Sequence, residues 1–239
     1  MSWRAKLGVI YPADGALDDE YWKLAPKGVS VHFTRIPIPQ EDQTLEALEA
    51  QTLNSDIETA AVNLNVIRLD AVGYACTSGS FVHGPGGDLE IIKRLEDASG
   101  AVCTTTSTAA VRALQALQAE KIAVITPYPD EINERLQTFL QDSGIKIVAM
   151  KGLGLYREIF NQPAGAAYRL AREADRPEAE AVFISCTNFR SVEVLDELEQ
   201  DLGKPVISAN QVTMWDMLRL AGLRPRLAGY GSLFEPRRT

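Results

Sequence analysis

One run of residues occurs twice in this 239-residue chain, and the repetition constrains its fold more than any other feature. Lys6-Leu7-Gly8-Val9-Ile10-Tyr11-Pro12 parallels Lys121-Ile122-Ala123-Val124-Ile125-Thr126-Pro127. Sixty-four residues after Lys6 stands Asp70-Ala71-Val72-Gly73-Tyr74-Ala75-Cys76-Thr77, and fifty-nine after Lys121 stands Glu180-Ala181-Val182-Phe183-Ile184-Ser185-Cys186-Thr187. Each Cys-Thr pair is followed by another apolar strand and then a polar turn into a helix. Two copies of one plan predict two lobes related by a pseudo-twofold axis.

Short apolar, β-branched runs alternate with longer polar-faced helical patterns, the signature of an α/β fold with mostly parallel sheets flanked by helices. Strands are expected at Lys6–Tyr11, Val29–Ile36, Ala71–Ala75 and Ala101–Cys103, then at Ile122–Thr126, Ile145–Met150, Ala181–Ser185 and Val206–Ser208. Helices are expected over Thr44–Leu69, Asp88–Ala98, Ser107–Leu117, Asp130–Ser143, Ala164–Ala174, Val192–Leu202 and Thr213–Ala221. The first lobe is read as residues 1–110 with the C-terminal segment 210–239, and the second as 111–209. The chain crosses between them near 105–120.

Ligands of open parallel sheets bind outside the carboxyl ends of the strands. Pro12, Cys76, Thr104, Pro127, Cys186 and Ser208 all fall at such ends. Facing lobes would bring Cys76 and Cys186 together across one cleft. Both cysteines close an apolar run and open a turn rich in hydroxyls and backbone donors, expected beside a helix N-terminus, a setting that lowers a thiol pKa and binds anions. Cys103 lies inside an apolar strand and is read as structural.

Composition narrows the partners. The net charge of −8 argues against nucleic acid and anionic membrane. No stretch approaches 18 apolar residues, and the run Leu7 to Tyr11 is too short for a signal-peptide core, so a cytoplasmic location is expected. Three cysteines without a secretory signal point to free thiols rather than disulfides. The two histidines, His32 and His83, have no zinc-site spacing, and no metal or cofactor is expected. A homo-oligomer is the usual state of such symmetric folds.

The chemistry this pattern suits is proton movement beside a carboxylate. Removing that proton leaves an enediolate, which a metal-free site must stabilise with preorganised donors. Thr77-Ser78-Gly79 and Thr187-Asn188 supply hydroxyls and amides for this. Two thiols on opposite faces of one carbon would act as base and acid, or one thiolate would add to a double bond. Tyr128, at a strand end, either donates its phenol to a carboxylate or packs the turn; the pattern does not separate these. Asp14 is either a catalytic group or a helix cap. His83 is read as a surface residue. Gly84-Pro85-Gly86-Gly87 lacks a phosphate loop's Gly-Lys-Ser/Thr ending and reads as a turn before a helix capped by Asp88. No Gly-x-Ser-x-Gly elbow is present.

At these residues the sequence resembles the aspartate/glutamate racemase superfamily, in the branch of maleate cis-trans isomerases and arylmalonate decarboxylases. The likeness is carried by Ala75-Cys76-Thr77-Ser78-Gly79-Ser80-Phe81, by Thr126-Pro127-Tyr128 with Asn133-Glu134-Arg135-Leu136, by Ser185-Cys186-Thr187-Asn188 and by Gly229-Tyr230-Gly231-Ser232-Leu233-Phe234. The resemblance implies a cofactor-independent enzyme acting on a small carboxylate, with Thr77, Ser78, Tyr128, Cys186 and Thr187 around one carboxylate. It implies that decarboxylases have a glycine where this chain has Cys76, whereas isomerases and racemases carry both cysteines. A two-cysteine isomerase or racemase is therefore expected, with a decarboxylase using Cys186 alone as the alternative and a non-catalytic binding protein as a distant one. The first loop, Pro12-Ala13-Asp14-Gly15, departs from the Ser-Asn-type loop of maleate isomerases, and a carboxylate at Asp14 would repel a dianion's second carboxylate.

Overall fold

The computed structural model describes residues 3–235; residues 1–2 and 236–239, at the outer ends of the expected first lobe, lie outside the described residues. The apolar runs become eight strands: β1 (Ala5–Pro12), β2 (Val29–Ile36), β3 (Ala71–Tyr74), β4 (Cys103–Thr105), β5 (Lys121–Thr126), β6 (Lys146–Gly152), β7 (Ala181–Ile184) and β8 (Val206–Ser208). They form two four-stranded sheets, ordered β2-β1-β3-β4 and β6-β5-β7-β8, with every pairing parallel. The matching order is the structural counterpart of the sequence repeat. Inner strands β3 and β7 are buried along their whole length, while edge strands β2 and β6 are half-buried. That difference explains the unbroken apolar runs of the inner strands, which have helices on both faces.

Ten α-helices flank the sheets among the described residues: α1 (Asp18–Leu24), α2 (Leu45–Leu53), α3 (Asp56–Asn65), α4 (Thr77–Phe81), α5 (Gly87–Ser99), α6 (Thr106–Ala116), α7 (Asp130–Asp142), α8 (Ala164–Ala174), α9 (Leu195–Leu202) and α10 (Ala209–Leu220). None is long and apolar enough to cross a membrane.

Several expectations shift for local reasons. The helix expected over Thr44–Leu69 is two, because Asn54 turns its side chain back to accept from Asp56 N at 3.0 Å and breaks the run. The strand expected at Ala101–Cys103 sits two residues later, at Cys103–Thr105, where its threonines are buried with partners: Thr104 Oγ1 donates to Asp216 Oδ2 at 2.6 Å. Val192–Val194 is a 3₁₀ turn ahead of α9. The last helix begins at Ala209, since Gln211 Oε1 accepts from Ser208 N at 3.2 Å at its start. Asp88 is not an N-cap; left-handed Gly86 holds that position, and the buried Asp88 carboxylate accepts from Thr108 Oγ1.

The halves interlock. α10 lies over β3 closely enough that a side chain at Gly73 would reach Met217 Sδ at 2.8 Å. α6 packs on α10 through Thr106 and Thr213, whose hydroxyls are 2.8 Å apart, and Arg112 pairs with Asp216 at 2.8 Å. Within the described part of the C-terminal segment, contacts run to both halves. α10 covers the first sheet, whereas Ser232 bonds Glu199 of α9 through its N–H (2.8 Å) and its hydroxyl (2.9 Å).

Candidate active site

Four loops at carboxyl ends of strands build the site. Pro12 ends β1 and Asp14 follows it; Cys76 follows β3, Tyr128 β5 and Cys186 β7. Cys76 and Cys186 are 5% and 6% exposed, so both thiols are inside the protein rather than on its skin.

Cys76 occupies the cap position of α4, where its Sγ accepts from Gly79 N at 3.4 Å. Gln51 Nε2 lies 3.7 Å from the same sulfur and the Ser78 hydroxyl 3.9 Å. Cys186 is different. Its backbone is left-handed (φ 92°), a strained conformation for a residue with a Cβ, and no helix follows it. Its Sγ accepts from Asn188 N at 3.4 Å. The expected helix N-terminus therefore exists at the first cysteine only.

The expectation of lowered thiol pKa values fails at both. Burial pushes the Cys76 thiol up, against the pull of the Gly79 N–H, with the Asp14 carboxylate adding to the rise. Burial pushes Cys186 up to about 12, opposed by Tyr128 and the Asn188 N–H. Desolvation of a thiolate outweighs a few neutral donors.

Tyr128 stands beside both sulfurs. Its ring is 1% exposed and meets Phe81 edge-on at 6.2 Å. Its hydroxyl influences Cys186 electrostatically yet has no well-formed hydrogen bond among the described residues. The Thr77 hydroxyl is likewise buried and unpartnered. Two orphaned hydroxyls beside two thiols are donors waiting for an acceptor, since a buried polar group left unpaired costs roughly 1–3 kcal/mol. Asn133 holds the Tyr128 loop, donating to Tyr128 O at 3.1 Å and accepting from Thr126 Oγ1 at 2.6 Å.

Thr187 and Asn188 spend their side chains on the opposite lobe. Thr187 Oγ1 donates to Ala75 O at 3.1 Å. Asn188 accepts from Ala16 N at 3.0 Å and donates to Asp14 O at 3.1 Å. The Asn188 side chain thereby braces the Asp14 loop. Asp14 is half-buried, accepts from Gln43 Nε2 at 3.1 Å, and has no cation in ion-pair contact among the described residues; burial raises its pKa. It borders a recess on the Cys76 side with Pro12, Gln43, Ala47, Leu48 and Gln51. Pro12 and Ser78 are buried at the same strand ends.

Outside this cluster, Cys103 is buried with its thiol toward Ala101 O, and His83 is exposed, its ring nitrogen bonding the Thr52 hydroxyl. Sequence reasoning missed Gln43, Gln51, Tyr74 and Glu20. Gln51 and Glu20 sit in ordinary helical patterns, and only the packing of α2 and α1 onto the loops gives them a role.

The profile of the arylmalonate decarboxylase family matches residues 7–234. The chain belongs to this family. It is 33% identical over 171 residues to the arylmalonate decarboxylase of Bordetella bronchiseptica, an alignment covering 66% of this chain and 68% of the relative. It is 28% identical over 239 residues to the maleate isomerase of Nocardia farcinica, covering 96% and 95%. Among solved structures, a liganded double mutant of arylmalonate decarboxylase superposes with a TM-score of 0.88 at 26% identity, covering 97% of this chain and 99% of the other. A Nocardia farcinica maleate cis-trans isomerase carrying a covalently bound succinylcysteine intermediate superposes at 0.90, with 23% identity, covering 98% and 99%. The chain is an enzyme of the branch that holds arylmalonate decarboxylases and maleate isomerases.

Proposed function

We propose that this enzyme isomerises or racemises a small carboxylate at the carbon beside the carboxylate group, with Cys76 and Cys186 as the reacting pair. One observation carries the reading: thiols from equivalent strand ends of the two halves share a buried site with the orphaned Thr77 and Tyr128 hydroxyls. Those hydroxyls would donate to the carboxylate and to the enediolate charge that develops on it. In the isomerase form, Cys76 thiolate adds to the alkene and Cys186 protonates the carbanion. The former double bond rotates, Cys186 takes the proton back, and the carbon–sulfur bond breaks. In the racemase form, one thiolate removes the α-proton and the opposite thiol delivers another. Both forms use only this chain's residues and take no metal or cofactor. The reading treats residues 1–110 with 210–239 as the first lobe, 111–209 as the second, and the cleft between them as the site. It includes a cytoplasmic homo-oligomer that binds no nucleic acid.

The recess beside Cys76 speaks to the substituent. Asp14 and the buried, unpartnered Gln43 Oε1 are both acceptors. They disfavour a second carboxylate and an aryl ring, and they favour a substituent that donates hydrogen bonds. The runner-up is a decarboxylase in which Cys186 alone reprotonates the product; the 33%-identical Bordetella relative favours it.

Proton NMR in D₂O with maleate, both enantiomers of aspartate and glutamate, 2-arylpropionates and phenylmalonate separates these. Deuterium entering an α-position without loss of CO₂, or maleate turning to fumarate, is the expected result. Phenylmalonate consumed to a singly deuterated, non-exchanging product would make the enzyme a decarboxylase.

A further inference from the structure

Two side chains that the reaction above does not use converge on the Cys76 sulfur. Gln51, on α2, is 4% exposed, and Tyr74, the last residue of β3, is fully buried. Gln51 Nε2 donates to the Tyr74 hydroxyl oxygen at 2.8 Å and lies 3.7 Å from Cys76 Sγ. A phenol that accepts from an amide keeps its own proton to give. The recipient is defined by Gly79, where a side-chain carbon would stand 2.7 Å from the Tyr74 hydroxyl and 3.0 Å from Cys76 Sγ. Phenol and sulfur border one small space that only a glycine leaves open, and the Gly79 N–H donates into it at 3.4 Å. The amide also polarises the phenol, so the two donors reinforce each other. Cys186 has no such amide–phenol pair: beside it stand the Asn188 N–H and the Tyr128 phenol, which is shared with substrate in the reading above.

We propose that Gln51 and Tyr74 are positioning residues that make Cys76 the more readily ionised thiol of the pair. The assignment rests on the two thiols being the reacting pair, and it gives them unequal resting roles. The titratable and charged groups facing Cys76 are Asp14 after β1, Tyr21 on α1, Glu41 and Asp42 ahead of α2, Tyr74, Tyr128 after β5 and Cys186 after β7; Arg94 on α5 acts on Tyr74. Changing Gln51 or Tyr74 leaves all the others in place.

The test is iodoacetamide alkylation of the full-length protein, followed cysteine by cysteine by mass spectrometry from roughly pH 6 to 11, with Cys186, pushed up to about 12, expected to react only at the alkaline edge and its midpoint taken from that rise. Cys76 is expected to have a lower midpoint than Cys186. Gln51→Met and Tyr74→Phe are each expected to raise the Cys76 midpoint by about one unit, slowing its alkylation about tenfold near neutral pH, with the Cys186 midpoint unmoved. Gln51→Glu, similar in shape but unable to donate when ionised, should raise it further. Should Gln51→Met fail to fold, Tyr74→Phe carries the test, because it removes a single oxygen. The proposal is overturned if Cys186 has the lower midpoint in the unmodified protein, if folded variants leave the Cys76 midpoint in place, or if both midpoints move together. No substrate is needed, so a failure here is distinct from a failure to find turnover on the carboxylate panel.

Discussion

The two cysteine loops begin from the same strand-Cys-Thr sequence and end in different surroundings. The Cys76 loop is held mostly from within its own half. It runs into α4, and its sulfur takes its contacts from Gly79, Ser78 and nearby Gln51. The Cys186 loop is held from outside. Thr187 O accepts from Tyr11 Oη at 2.6 Å and from Asn210 at 2.9 Å, while the buried Glu20 carboxylate accepts from Ser191 N, Val192 N and Asn210 Nδ2 at 2.8, 2.9 and 2.6 Å. Arg190 adds a two-pronged ion pair with Asp19 at 2.7 and 3.1 Å. The comparison teaches that a repeated sequence fixes where the thiols lie, while non-repeated partners decide how each is held. The strained backbone at Cys186 persists because the first half over-determines its loop.

The largest way to break this contrast is Glu20→Ala. It leaves two backbone N–H groups and one of the two Asn210 amide hydrogens unpaired in the interior, and a loss of about 3–5 kcal/mol is expected in urea unfolding. A cost below about 1 kcal/mol would show that the Cys186 loop holds itself. Asp14→Asn tests what the two thiols share, since the Asp14 carboxylate raises both. Both alkylation midpoints should fall by up to about one unit, roughly tenfold faster reaction near neutral pH, in contrast to the one-sided effect of Gln51→Met. The same variant should accept maleate better if the carboxylate is what repels a dianion.

The smallest effect is expected at the Arg190–Asp19 pair. Hydrogen bonding from Arg190 lowers the Asp19 pKa from 3.8 to about 2. Because the folded value lies below the unfolded one, the pair's contribution is full above about pH 4 and disappears as pH falls through 2. Arg190→Gln should therefore remove part of the acid limb of the stability profile. With Asp19 38% exposed, solvent screening keeps the effect under about 1 kcal/mol.

The strands and both thiols were legible in the sequence because inner parallel strands must be apolar throughout, and ligand sites follow their carboxyl ends. β2 and β8 fall where the pattern places them. The misses share a cause. Thr104 reads as turn because its buried hydroxyl is satisfied by Asp216, more than a hundred residues away. The first turn of α10 was missed because Asn210 is a polar residue spent on Glu20. Gln51, Tyr74 and Asn188 gain their roles only when other elements pack against them, and no local motif records that. The thiol pKa values were misjudged because loop chemistry is local whereas desolvation is a property of the whole fold.

The central claim is that both thiols react. It is tested most directly by the turnover of Cys76→Ala on whichever carboxylate the NMR panel identifies. A two-thiol enzyme predicts a loss of about 10²–10⁴-fold with the fold intact. Turnover near that of the unmodified enzyme would contradict the account and leave Cys186 as the sole proton donor.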